Sequence, residues 1–486
     1  MDEKEERLCM AKKLGTSLYV GVDVAMAENV IVMLTNPRGA PVRSLTVKQN
    51  EPGMREFASA LNDVLRRNTT VRDVYIGFEA TGVYSSPPLR WAFVNLHFAS
   101  INVHVYHINP MMIKRFKETY LNVAKTDARD ARAIAEFVAA HHDVLHEHTG
   151  DQVFALRQLT RRRMRYMSAI ARLRMQLYDM VFLKFSELVR TRSGDEAVCR
   201  TLHGELPMLL LTEFAGLDEL ASASRRKLEE VVIRATHNTI PGAKLKRVVD
   251  ALEDAVKASY RLGSLASSAV TMNVASTYVL IQTYQQQRDL LDEGIARLVV
   301  GVNKEAYTVL QSVPGIGPVI AAGIIAEAPD ISCFHSHGAF AHYAGLTWPE
   351  VQSGSKNQES RRLEKFCNRH LRFYICDAAL HMVTNTKTYS DYFAAKCSEV
   401  KLNPVKRALV LTGRKVARLL YTLLRDKRLY STSTMRHNVM TAKPEPPVAD
   451  IALDDLVAKQ RTLLTDVKEG RLAFGREQRK LRRGAH

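Results

Sequence analysis

Cysteine is scarce in this chain. Six occur in 486 residues, at positions 9, 199, 333, 367, 376 and 397, and none form a CxxC pair. That spacing excludes a disulfide framework and the common zinc motifs, so reduced, packed thiols of a cytosolic protein are expected. Long apolar runs are lacking as well. The most apolar stretch, VIAAGIIAEA, is too short to span a bilayer, so no membrane partner is expected. The N-terminus, MDEKEERLCMAKK, is too charged for a secretory leader. Acidic residues are outnumbered, 51 against 69 Lys and Arg, which leaves a net charge of +18. A deficit of that size favours a polyanionic partner, of which nucleic acid is the commonest, over a merely soluble basic protein. Apolar residues make up 46% of the chain, enough to build cores, and the length suits two to four structural units.

From residue 17 to about 140 the pattern alternates. Strands are predicted at 17–24, 28–34, 42–48, 73–78 and 102–107, and helices at 51–66, 87–97 and 127–139. A hairpin followed by strand–helix alternation implies a mixed sheet with helices packed on it, the order of an RNase H-like fold and of some other α/β folds. From about 152 the period changes. Leu156, Leu159, Tyr166, Ile170, Leu173, Leu177 and Met180 follow three- and four-residue steps, broken by Arg163 and Lys184. Val270, Val274, Ile281, Tyr284, Leu291, Ile295 and Leu298 repeat the spacing, broken by Thr277 and Arg288. Two long helices follow, as a coiled-coil hairpin, a dimer stalk or a buried helical pair. The intervening 186–265 reads as helical. After about 434, TAKPEPPVAD has linker composition, and the chain closes on the basic run REQRKLRRGAH. The expected division is 1–145, 146–305, 306–435 and 436–486.

SLYVGVDV reads as a buried strand, and the carboxylate of Asp23 within it needs a compensating partner. Glu79 ends the strand DVYIGFEATG. Asp127 and Asp130, in AKTDARDARAIAEF, stand three apart near a helix start and share one face. Singly, each has a plain explanation: helix-dipole stabilisation for the two aspartates, a turn for the glutamate. Jointly, two carboxylates at strand ends and two on a nearby helix can converge on one point. Oxygen ligands of that kind suit Mg²⁺, and a pair of such ions can hold the attacking and leaving oxygens of a phosphodiester.

Three further features concern nucleic acid. Gly315 and Gly317, in VPGIGPVIAAGI, resemble the hairpin of helix-hairpin-helix modules, where backbone N–H groups approach phosphate; an interhelical turn is the alternative. Ser353, in VQSGSKNQES, lies in a polar segment with Lys356, Arg361, Arg362 and Lys365, and could attack phosphorus or simply form a turn. Seven arginines crowd 157–174; Arg161, Arg162 and Arg165 are expected to track an RNA backbone, the alternative being a solvated helix face.

The ordered set VGVDVA, GFEATGVY, INPMMIKRFKE, AKTDARDARAIAEF, VPGIGPVIAAGI, FAHYAGLTWPEVQSG and CNRHLR resembles the insertion sequence one-ten family of DEDD transposases, relatives of the Piv DNA invertases that include bridge-RNA-guided recombinases. The resemblance covers about 17–140 and 306–430. It implies a RuvC-like N-terminal domain with Asp23, Glu79, Asp127 and Asp130 holding Mg²⁺, or Mn²⁺ in its place. It implies a helical middle, a mainly α C-terminal transposase domain, and Ser353 as the nucleophile. Donor and target DNA, a structured guide RNA and a homodimer or tetramer would be the partners, in a prokaryotic, nucleoid-associated setting. The sequence departs from the family pattern at Cys367 and near Ser360, where glycine is usual. Two other functions compete: a RuvC-type junction nuclease, which would not use Ser353, and a non-catalytic nucleic-acid-binding assembly protein.

Overall fold

The computed structural model describes residues 17–118, 126–188, 199, 202, 204–214, 216–348, 350–353, 356–359, 363–364, 367–399, 403–431, 455–456 and 458–459. TAKPEPPVAD, REQRKLRRGAH, Ser355, Arg361, Arg362 and Lys365 lie outside the described residues. The chain forms two compact units, the first built on residues up to Phe154 with short returns at Ser332–His335 and Glu364–Phe366, the second on the rest.

The first unit holds one five-stranded sheet. Its strands are β1 (Ser17–Val24), β2 (Glu28–Leu34), β3 (Arg43–Lys48), β4 (Asp73–Glu79) and β5 (Asn102–Ile108), ordered β3-β2-β1-β4-β5. β1 to β3 form an antiparallel meander, and β4 and β5 run parallel to β1. Helices α1 (Glu51–Arg67), α2 (Ser86–Asn95), α3 (Pro110–Lys117) and α4 (Asp127–His141) complete it. The Asn50 side chain starts α1 by accepting a hydrogen bond from Gly53 N at 2.9 Å. Successive strand residues face opposite sides. Leu18, Val20 and Val22 therefore join Phe57, Leu61 and Leu89 in the core under α1 and α2. Tyr19 joins Ile134, Phe137 and Val138 under α4. Burial on both faces explains why β1 reads as a continuous apolar run. This mixed, helix-covered sheet is consistent with the expected RuvC-like architecture. Helix α3 was not expected from the sequence: it is only eight residues long, and Asn109 starts it by accepting from Met111 N at 3.0 Å.

The second unit is mostly helical. It contains α5 (Asp151–Lys184, entering from the first unit), α6 (Glu205–Glu213), α7 (Leu217–Ser222), α8 (Arg225–Ala235), α9 (Gly242–Ala258) and α10 (Ser264–Gln311). After these come α11 (Pro318–Glu327), α12 (His337–Tyr343), the hairpin β6 (Glu350–Ser353) and β7 (Lys356–Glu359), α13 (Arg369–Asn385), α14 (Lys387–Ser398) and α15 (Pro404–Arg425). Helices α5 and α10 run antiparallel, and Arg163, Lys184 and Thr277, which break their apolar spacing, each find a partner on the opposite helix. Arg163 Nε donates to Asp292 at 2.5 Å, and Thr277 Oγ1 lies 3.6 Å from Met180 Sδ. Lys184 Nζ donates to Thr271 Oγ1, Leu211 O and Phe214 O, each at 2.7 Å, so it also caps the C-terminus of α6. By length and composition α10 could cross a membrane. Part of it packs on protein: Val274, Tyr278 and Ile281 are buried in the core of this unit, and Thr271, Thr277 and Tyr278 bond to neighbours. Asn303 breaks α10, and its Oδ1 accepts from Ala306 N at 2.9 Å to restart the helix.

Candidate active site

Strands β1 and β4 share a local pattern, aromatic–glycine–acid at every second residue: Tyr19, Gly21, Asp23 and Tyr75, Gly77, Glu79. The parallel register pairs Tyr19 with Tyr75 and Gly21 with Gly77, so Asp23 and Glu79 stand side by side at the C-terminal ends of their strands. The two tyrosine rings stack with centroids 5.6 Å apart. The glycines let α4 descend onto the sheet. A Cβ on Gly21 would sit inside contact distance of Ala131 O and 2.5 Å from Ala135 N; one on Gly77 would sit 2.5 Å from Val138 Cγ2. With α4 held there, its first turn, which carries Asp127 and Asp130, comes to the edge where Asp23 and Glu79 end.

The four carboxylates sense one another. Burial, followed by the charges of Glu79, Asp130 and Asp127, pushes the Asp23 carboxyl up to about 6, while Lys117 opposes the rise. Lys117, the last residue of α3, places Nζ 2.9 Å from Asp130 Oδ1. It is the member of the site the sequence reading passed over. The basic end of INPMMIKRFKE was its only trace, since the helix that carries it is only eight residues long.

Among the described residues, no three His, Cys, Asp or Glu side chains are close enough to enclose an ion. The donor set of four carboxylates nevertheless fits a hard divalent cation. Lys117 neutralises part of the charge at Asp130.

The second unit holds the remaining candidates. Ser353 ends β6 opposite Lys356 in the register of the hairpin, so a polar stretch expected to be irregular is two short strands. Gly345, with φ +67°, precedes this excursion, and its missing Cβ leaves space taken by Cys367 Sγ and the Arg372 guanidinium. Cys367 thus packs against a position that itself requires glycine. Asn368 closes the excursion: its N donates to Tyr343 O at 2.7 Å, and its Oδ1 caps α13 through His370 N and Leu371 N.

Two of the nucleic-acid candidates have partners inside the protein. Arg161 was expected to meet RNA phosphates, but its Nε and Nη2 donate to the two carboxylate oxygens of Glu327 at 2.7 and 2.8 Å. Glu327 is 3% exposed and also accepts from Asn368 Nδ2 at 2.8 Å. Burial alone would raise its carboxyl, yet Arg161, Arg157 and Asn368 hold it below the ordinary range. Arg161 therefore balances an internal charge. Gly315 was expected to approach phosphate, but with φ +92° it lies against the backbone of His381 and Met382 in α13. Its freedom serves helix packing, whereas around Gly317 the space is open. Arg162 and Arg165 are exposed on α5, and the Arg162 guanidinium lies 4.9 Å from the Tyr166 ring centroid.

Comparison with known proteins agrees with these features. The DEDD model of the IS110 group, described as Transposase, matches residues 20–185, and that of the Transposase IS116/IS110/IS902 family matches 307–394. Together they span a little over half of the chain. The insertion element IS116 uncharacterized 44.8 kDa protein of Streptomyces clavuligerus is 25% identical over 72% of this chain and 80% of its own length. The insertion element IS900 uncharacterized 42 kDa protein of Mycobacterium paratuberculosis is 22% identical over 86% of this chain and 98% of its own. The insertion element IS110 uncharacterized 43.6 kDa protein of Streptomyces coelicolor is 24% identical over 68% and 77%. With the acid-tipped sheet in one matched region and the serine hairpin in the other, the chain belongs to the IS110 family of insertion-sequence transposases.

Proposed function

We propose that this transposase breaks and rejoins DNA strands with a Mg²⁺-binding acidic tetrad and a serine nucleophile, guided by a structured RNA. The observation that supports the reading is the β1–β4 register, which sets Asp23 beside Glu79, together with an Asp23 carboxyl raised first by burial and then by the charges of Glu79, Asp130 and Asp127. A cluster of like charges is costly to a fold, and a bound cation is the natural compensation. Asp23, Glu79, Asp127 and Asp130 would hold the metal; when bound, it supplies positive charge to the phosphate oxygens. Ser353 Oγ forms the new bond to phosphorus as the scissile P–O bond breaks; the serine gives up its proton, and the leaving strand oxygen takes one up. The phosphodiester energy stays in the covalent adduct, so a new strand hydroxyl can reverse the step. Lys356, which pairs with Ser353 in the register of the hairpin, would neutralise phosphate charge. Exposed Arg162 and Arg165 remain the candidate RNA contacts on α5. Because the acidic face and the serine belong to different units of the chain, pairing of protomers as a dimer or tetramer is part of the proposal.

The test uses purified protein with element-end DNA and copurified RNA. Wild type should give a protein–DNA adduct that survives SDS electrophoresis, and Ser353→Ala should give none. Asp23→Asn should lose cleavage but raise the metal-free melting temperature, because it removes one of four repelling charges, and it should lose any stabilisation by Mg²⁺. An adduct from Ser353→Ala would refute the nucleophile. Unchanged Mg²⁺ stabilisation of Asp23→Asn would refute the metal site. Cleavage by wild type without any adduct would favour the nuclease reading.

A further inference from the structure

Helix α15 lies beyond both regions matched by family models, and its charge pattern differs from that of its surroundings. Its 22 residues, PVKRALVLTGRKVARLLYTLLR, carry six cations and no acid. One face buries Ala408, Thr412, Gly413, Val416, Ala417 and Leu420. On the other, Arg407, Arg414, Arg418 and Arg425 follow steps of seven, four and seven residues. At about 100° per residue they fall within about 40° of one another, a straight row along the helix.

Several exposed cations elsewhere in this unit are matched by acids. Arg225 pairs with Asp250 and Glu253, Arg297 with Asp455 and Lys427 with Glu305. Among the described residues, no acidic side chain pairs with Arg414, Lys415 or Arg418, although Arg425 is taken by Asp426. Two arginines four apart on one helix repel, and nothing described nearby offsets that. Aromatic rings fix the neighbouring cations in place. Lys415 Nζ lies 4.4 Å from the Tyr392 ring centroid and 5.1 Å from that of Tyr389, and the Arg407 guanidinium lies 5.2 Å from Trp348. Tyr389 is itself buried, so its ring holds a cation and offers no face to an unpaired base.

We infer that the arginine row of α15, with Lys415, is a binding surface for the phosphate backbone of duplex DNA. Rigid guanidinium forks match phosphate oxygens, and contacts to the backbone position DNA without selecting sequence. From Arg407 to Arg418 the row spans about 16 Å, or about five base pairs of duplex rise. The inference rests on membership of a DNA transposase family and is independent of the serine and metal proposals.

The test measures how full-length protein binds a labelled duplex of arbitrary sequence as salt rises from about 50 to about 200 mM. Each phosphate contact contributes about 0.9 to the slope of log affinity against log salt, so Arg414→Gln/Lys415→Gln/Arg418→Gln should flatten it by about 2 to 3. Arg414→Lys/Arg418→Lys, which keeps the charge, should retain most of the slope. A charge-matched control on α8, Arg225→Gln/Arg226→Gln/Lys227→Gln, should leave it nearly unchanged, and circular dichroism and melting establish that each variant folds. An unchanged slope in the α15 variant, or an equal change in the control, would overturn the inference. So would a loss confined to structured RNA. Absence of salt-dependent binding by wild type would overturn both this surface and the DNA-transposase reading beneath it.

Discussion

Gly21→Ala tests how the acidic edge is assembled. Placing a methyl group in a strand ordinarily helps, since glycine in a strand interior costs about 0.5–1 kcal/mol relative to alanine. Here the new Cβ would press on backbone, Ala131 O and Ala135 N, which cannot rotate away. Helix α4 would have to retreat by about 1 Å, and overpacking of this kind costs about 1–3 kcal/mol, which outweighs the intrinsic gain. The retreat also carries Asp127 and Asp130 away from Asp23 and Glu79, and a displacement of about 1 Å in a reacting constellation lowers rate by about 100-fold. Gly77→Ala is the internal comparison. Its Cβ would meet the side-chain ends of Val138, Ile108 and Ile134, which can change rotamer, so it should be the milder of the two. Hydrogen exchange in β1 and α4 reads local stability, and strand cleavage reads geometry. The reasoning fails if Gly21→Ala protects those amides as well as wild type, or if Gly77→Ala is the more damaging.

Two further outcomes follow from buried charge in the second unit. Glu327→Ala should destabilise that unit by about 3–5 kcal/mol in denaturant unfolding, because it strands Arg161 and leaves Asn368 without its acceptor; a loss below about 1 kcal/mol would show the cluster to be dispensable. Lys184 carries a pH signature, since burial pulls its ammonium from 10.5 down to about 8. Above pH 10.5 both states are neutral, and between 8 and 10.5 the unfolded chain holds the extra proton, so stability should climb with pH across that window by up to about 3 kcal/mol. Lys184→Met should flatten the climb, and a variant with the wild-type pH profile would contradict it.

Much of the first unit is legible from local pattern. The strands from 17 to 48 and from 73 to 108, and helix α4 beginning at Asp127, lie within a residue or two of their expected positions, because each buries an apolar face whose period is written along the chain. The four carboxylates could be singled out because each interrupts or ends an apolar element. Helix α3 and the β6–β7 hairpin were not legible: both are short and polar, and depend on capping and cross-strand pairing more than on burial.

The sequence by itself determined which elements form and which charges are anomalous, since period, capping and charge balance are local quantities. Only tertiary structure decided what those charges face. Arg161 and Arg414 look alike in sequence, yet one neutralises buried Glu327 and the other points from a row without acids. Gly315 and Gly21 are equally plain glycines, but one admits α13 and the other admits α4. Partners of this kind come from residues far apart in the chain, Arg161 with Glu327 and Lys117 with Asp130 across 119–125, and no local pattern encodes such distances.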